Sequence, residues 1–267
     1  MYIRLIILFC IVFKTFDSHA QKTWELEVFG GASGYVGDLN PDKIYKVTDP
    51  AYGFAVKRNF GGTWSAGLNV IQGRIQANDA DADNAYQRSR NLSFYSPITE
   101  ISAMVEFNFL NYLPGIPYTI YHHRITPFIF AGVGGVFFSP QTTYQGETYD
   151  LPKFQTEGAP YKTYALTIPY GVGVKYNVTG CWTLLLKIGY RTAFTDYLDD
   201  VSGRYPTTVL NATAAALADR SGEVNGGVNI GVPGTQRGDF RQRDTYMFVG
   251  FGVSYNLVSK KCFSFTE

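Results

Sequence analysis

The sequence is poor in the residues that most enzymes and metal proteins rely on. Its 267 residues include only three cysteines and three histidines. That is too few cysteines for a disulfide-stapled miniprotein or a four-cysteine zinc site. Charged residues make up 17% of the chain, against about 25% in ordinary soluble domains. The formal net charge of +1 excludes a nucleic-acid binder of the usual strongly basic kind. No glycine-rich G-x-G-x-x-G run follows a strand and opens a helix, and no G-x-S-x-G nucleophile elbow occurs. Beyond the N-terminus no stretch approaches the ~18 unbroken apolar residues of a spanning helix. What is plentiful is large rings and bare backbone: 20 Tyr, 20 Phe and 28 Gly.

The N-terminus reads as an address. Arg4 precedes an apolar run from Leu5 to Phe13, and Ser18-His19-Ala20 forms a small-x-small cleavage site. Residues 1–20 are therefore expected to be a secretory signal peptide. Cleavage would leave residues 21–267 as a single domain and remove Cys10 and His19, leaving Cys181 and Cys262.

That remainder alternates with period two, the mark of a strand with two unlike faces. In residues 166–178, Leu166, Ile168, Tyr170, Val172, Val174 and Tyr176 oppose Thr167, Gly171, Gly173 and Lys175. The same pattern runs through 182–193, 246–257 and 101–109, and more weakly through 24–35, 52–59, 64–73 and 124–138. These eight segments are mostly long enough to cross a bilayer when tilted.

A soluble antiparallel sandwich also alternates, so the choice rests on three further features. Short links near 59–63 and 178–181 alternate with long polar ones at 38–50, 76–97, 139–163 and 196–244. Trp24, Trp64 and Trp182 each open a strand on its apolar face, with Tyr255 closing another at the same level, as interfacial aromatics do. The other face carries Glu25, Glu27, Glu100 and Glu106 against Lys57, Lys175, Lys187 and Arg191, a balance suited to ion pairs and small residues filling a narrow interior. The expected fold is all-β: an eight-stranded antiparallel up-and-down transmembrane β-barrel with short periplasmic turns and long extracellular loops. Both termini would lie in the periplasm of a Gram-negative bacterium, with outer-membrane lipid around the barrel.

Chemical signals are weak, and no catalytic residue, cofactor, metal, nucleic acid or small-molecule substrate is expected. His122 and His123 are adjacent in a periplasmic turn, where neighbours in sequence rarely converge on one metal. Asp196, Asp199 and Asp200 would either bind calcium or anchor their loop through hydrogen bonds, and the second is favoured. Cys181 and Cys262 flank neighbouring strands on the oxidising side and would either form a disulfide or remain two thiols. Residues 211–220 suggest a short helix, and the Gly-rich stretch 222–238 a mobile insert. The turn 110–124 is long for its side. Its Tyr112, Pro114, Tyr118, Tyr121, His122, His123 and Arg124 make it either a partner-facing surface or an interfacial turn.

Two stretches carry a resemblance. Residues 30–41 (GGASGYVGDLNP) resemble the first strand and loop of PorG-like outer-membrane proteins of the Bacteroidetes, and residues 189–202 (GYRTAFTDYLDDVS) resemble their seventh strand. The motif positions are Gly37, Asp38, Leu39, Asn40 and Pro41, then Thr195, Asp196, Tyr197, Leu198, Asp199 and Asp200. The resemblance implies a non-enzymatic component of the type IX secretion system, which exports cargo and, in gliding bacteria, surface adhesins. It also implies periplasmic ring partners of the PorK and PorN type. The motifs would serve as barrel rim and the 110–124 turn as the ring-facing candidate. The alternative is an OmpX-like barrel that adheres or binds ligands through its outer loops.

Overall fold

A computed structural model describes residues 22–113 and 123–257. The expected signal peptide, Pro114, Tyr118, Tyr121, His122 and Cys262 lie outside the described residues. In chain order the strands are β1 (Lys22–Val36), β2 (Val47–Phe60), β3 (Trp64–Asn78), β4 (Ser93–Asn108), β5 (Ile125–Phe138), β6 (Gln141–Tyr144), β7 (Glu147–Asp150), β8 (Tyr164–Asn177), β9 (Trp182–Ala193) and β10 (Thr245–Leu257). Two short helices, α1 (Ala85–Arg90) and α2 (Ala212–Ala218), lie in loops.

Eight of the strands form a closed antiparallel barrel. The order runs β3-β2-β1-β10-β9-β8-β5-β4, and β3 pairs back onto β4 from Trp64↔Phe107 to Asn78↔Ser93. Closure leaves no unpaired barrel edge. The remaining two strands form a hairpin that pairs alongside β4 beyond the end of β5, through Tyr95↔Gln141. Its turn residues Gln145 and Gly146 both have positive φ, 52° and 84°, as a type I′ hairpin turn requires. Part of the expected 139–163 loop is therefore sheet.

The barrel strands also run further than the alternation suggested, for a physical reason visible in β3. Near the short turns its outward side chains are apolar (Trp64, Leu68, Val70) and its inward ones polar (Ser65, Asn69). Past Ile71 the polarity reverses: Ile71, Ile75 and Ala77 are buried inside while Gln72, Arg74 and Gln76 face out. β4 reverses at the same level, from inward Glu106 and outward Val105 and Ile101 to inward Ile98 and Phe94 and outward Thr99. Gln72 and Thr99 are register partners. The lower part is patterned for hydrocarbon, the upper part for water. The loops expected at 38–50 and 76–97 shorten to 37–46 and 79–92.

The Gly-rich stretch is not a loose insert. Gly231 N donates to Asp219 Oδ2 at 2.8 Å, Tyr205 N to Thr235 O at 2.9 Å, and Arg237 is fully buried. The expected helix is α2, capped by Asn211, whose Oδ1 accepts from Ala214 N at 2.8 Å.

Candidate functional site

Alternation puts every second side chain of a barrel strand inside, and this chain fills that space in two tiers. The lower tier is ionic. Lys57 Nζ lies 2.7 Å from Glu27, 3.1 Å from Glu25 and 3.3 Å from Glu106. Lys175 Nζ lies 2.6 Å from Glu106, and Lys187 pairs with Glu27. Arg191 Nε lies 3.2 Å from Glu100, which also accepts from Tyr246 Oη at 2.7 Å. All eight of the charged residues read as interior are buried, four of each sign. Such pairs hold only because each charge has partners in a medium of low dielectric.

Small residues such as Ala55, Ser65, Ser102 and Ser254 fill part of the rest, as expected, but large rings share the space with them. Phe128 and Phe130 project inward from β5 over Gly173, Gly171 and Gly189, and Lys175 Nζ sits 4.6 Å from the Phe128 ring centroid. A Cβ at Gly173 would stand 2.5 Å from Phe128 and from Leu186 O. These glycines make room for rings. Above them an apolar core of Phe29, Tyr35, Ile71, Ile75, Phe94, Ile98, Phe138, Leu198, Tyr246 and Phe248 continues under the outer loops. The interior holds side chains in both tiers.

At the short-turn end the aromatic residues form a belt. Trp182 meets Tyr255 edge-on at 4.9 Å, and Trp64 meets Phe107 in the same way at 4.9 Å. Arg58 lies over Trp24 at 5.1 Å. Trp24, Trp64, Trp182 and Tyr255, the four residues read as interfacial, all face outward. The turn beyond Asn108 is described only in part. Tyr112, read as partner-facing, is instead buried in the barrel mouth, with its hydroxyl bonded to Thr183 and its N–H donating to Gly62 O at 3.0 Å. Burial pushes its phenol up to about 12. A ring that plugs the mouth is closed to a partner. His123 and Arg124 are exposed, and Cys181 is half-buried.

At the long-loop end the two motifs meet. Gly37 and Asn40 bond to each other's backbone, at 3.3 and 3.0 Å, in a tight turn. Asn40 Nδ2 donates to Tyr35 O at 2.6 Å, and Leu39 is buried. Asp38 Oδ1 accepts from Asp239 N. Pro41 is half-exposed. From the second motif, Asp199 Oδ2 accepts from Tyr35 Oη at 2.5 Å and its Oδ1 from Val201 N at 3.0 Å. Asp200 accepts from Tyr161 Oη at 2.6 Å and from Thr156. Tyr161 stacks on Tyr197 at 4.4 Å, Leu198 is buried, and Thr195 Oγ1 accepts from Tyr197 N at 3.3 Å. Asp199 and Asp200 are thus hydrogen-bonded anchors. Asp196 joins Asp38 and Asp244, with oxygens of the three within 4.8 Å of one another.

Burial governs the acidity here. It pushes the Asp38 carboxyl up to about 8, helped by Asp239 and Asp196. It raises Asp196 to about 6 and Asp244 well above the usual range. Asp200 also rises to about 6, because burial outweighs the pull of Arg237.

Two buried arginines tie the loops together, and neither was singled out from the sequence. Arg90 at the end of α1 grips Asp79 at 2.7 and 2.8 Å and donates to Asp38 O at 3.1 Å. Arg237 donates to Glu157 Oε1 at 3.0 Å, Asp200 O at 2.7 Å and Ala218 O at 3.1 Å. The long loops form one interlocked cap.

Among curated proteins no sequence match is found. The chain is similar in fold to a major outer membrane protein from Thermus thermophilus, at 12% identity and a TM-score of 0.44 over 88% of this chain and 99% of that one. It is also similar to Neisserial surface protein A, at 10% identity and 0.43 over 89% and 99%. A third is Ail, the attachment invasion locus protein of Yersinia pestis, at 9% and 0.41 over 89% and 99%. A family model described as a domain of unknown function, DUF6089, matches residues 3–212, and the chain belongs to that family.

Proposed function

We propose that this chain is a non-catalytic outer-membrane barrel that anchors or positions the periplasmic ring of a type IX secretion system, as its resemblance to PorG-like proteins implies. The observation that carries this reading is the filled interior: ion pairs below and an apolar core above leave the two ends and the outer wall, not a lumen, as working surfaces. The resemblance supplies the partner, a ring of the PorK and PorN type on the short-turn side. The motif residues interlock with one another at the opposite end, which suits a structural rim and leaves ring contact to the 110–124 turn.

Deleting the gene should trap cargo bearing type IX signals in the periplasm, whereas normal export would overturn the proposal. Because Tyr112 is buried, the ring contact is best tested by replacing Tyr118, Tyr121 and His122 together with Ala. Reduced co-purification of the ring with an intact barrel supports the contact, and undiminished recovery removes it.

A second reading, contact with external surfaces, is favoured by the apolar side chains that the cap exposes to water: Tyr45, Leu210, Val224, Val228 and Val232. Removing residues 223–233 while keeping Arg237 should abolish such contact and spare secretion.

A further inference from the structure

The rim carboxylates Asp38, Asp196 and Asp244 come from three places that the barrel makes adjacent. Asp38 follows β1, Asp196 follows β9 and Asp244 immediately precedes β10, and β9, β10 and β1 are consecutive around the wall. Their oxygens lie within 4.8 Å of one another and all three residues are buried. Among the described residues no basic side chain forms an ion pair with any of them. The neighbouring arginines are engaged elsewhere, Arg90 with Asp79 and Arg237 with Glu157 and Asp200.

The hydrogen bonds reaching the cluster leave part of it unsatisfied. Asp244 accepts from Tyr35 Oη at 3.2 Å and Leu198 N at 3.0 Å, and Asp38 Oδ1 accepts from Asp239 N. Asp38 Oδ2 and Asp196 Oδ1 are buried and have no hydrogen-bond partner. A buried carboxylate oxygen with neither donor nor cation is a costly arrangement. Here two occur within one small cluster.

We propose that Asp38, Asp196 and Asp244 bind a divalent cation of the calcium type, which staples the ends of β1, β9 and β10 beneath the outer cap. The donor set is all oxygen, which disfavours zinc and copper. Calcium bonds oxygens at about 2.3–2.6 Å in a flexible shell of six to eight, so one ion spans the separations seen here. Ligands carried on three different chain segments suit that flexible shell better than the strict octahedron of magnesium. Waters and backbone carbonyls would complete it. The acidic pair Asp199 and Asp200, considered for calcium from sequence, is excluded by its own hydrogen bonds and the Arg237 contact.

The test uses the whole mature chain, purified in detergent, stripped with a chelator and titrated with calcium alone. One ion should bind per chain, with a dissociation constant on the order of 10⁻⁴ to 10⁻³ M, the range of extracellular calcium modules. Asp196→Asn and Asp38→Asn should each weaken binding at least about tenfold. Asp81→Asn, at an exposed residue paired with Lys46, should leave it unchanged. Failure of the wild type to bind calcium at 10 mM (about ten times the weakest affinity expected) overturns the proposal, as does wild-type affinity in Asp196→Asn. If the variants do not fold, tryptic cleavage of the wild type at Arg241 and Arg243, next to Asp244, decides the matter. Calcium should slow it several-fold, and unchanged cleavage overturns the site.

Discussion

Arg90 donates from Nη1 to the backbone carbonyl of Arg237 at 2.5 Å, joining loops 147 residues apart in sequence. Each guanidinium is also held by acids of its own, so the two cations approach without an unmatched charge. The cap on this barrel is thereby built like the core of a soluble protein. Replacing Arg237 with Met should leave Glu157 and Asp200 buried without their cation and cost about 3 kcal/mol or more. The expected readout is faster proteolysis within 194–244 while the barrel keeps its heat-resistant electrophoretic mobility. Unchanged protection would show that Arg237 is not the tie.

Asp200 makes the same cap sensitive to acid. Its folded carboxyl titrates near 6, above the ordinary 3.8, so the folded state holds the proton more tightly than the unfolded one. Its contribution to stability is full below 3.8, declines as pH rises towards about 6, and is constant above that. Protease resistance of the cap should therefore rise, through this group, between pH 6.5 and 4.5. That part of the slope should vanish in Asp200→Asn, and an identical slope in the variant would assign it to other groups.

Lys57 is the keystone of the lower tier. Converting it to Met leaves Glu25 without an ion-pair partner, while Glu27 and Glu106 keep Lys187 and Lys175; an unpaired buried charge costs about 3–5 kcal/mol. Urea unfolding followed by gel mobility should show a large loss. Adding Glu25→Gln to the same chain should recover part of it. Equal stability of the single variant and the wild type would mean that water reaches the interior.

Gly173 and Phe128 form a fitted pair. Gly173→Ala sets a methyl against the ring and should destabilise by about 1–3 kcal/mol, the usual cost of overpacking. Phe128→Leu in the same chain should restore refolding yield. Failure of that rescue would point to Leu186 O as the real obstacle.

The reversal along β3 gives a paired prediction. Leu68→Lys, on the hydrocarbon side, should cost about 2–4 kcal/mol near the membrane midplane. Gln76→Lys, eight residues further up the same face, should be neutral. Refolding into vesicles reads both, and equal effects would place the boundary elsewhere.

How far the sequence could be read follows from the range of each signal. Alternation is local, so Leu166 to Tyr176 and their seven counterparts announced the strands, and the opposite face announced Lys57 and its glutamates. The upper tier carried the same alternation with its sign changed. Ile71, Ile75 and Ala77 against Gln72, Arg74 and Gln76 read as the end of a strand when the chain had only changed solvent. Tyr112 looked like a surface anchor because nothing nearby in sequence says that a turn folds back into the barrel mouth. Arg237 lies 80 residues from Glu157, and Asp244 is 209 from Tyr35. Charges in polar runs reveal partners that distant only once the barrel has closed.

The change of sign at Gln72 and Thr99 also dictates an order of assembly. Segments above that level have polar flanks and find their greasy filling only in each other, so they cannot condense while still crossing hydrocarbon. They must be delivered as bare chain and congeal on the far side once the wall below has formed. The cap would then form after the wall beneath it.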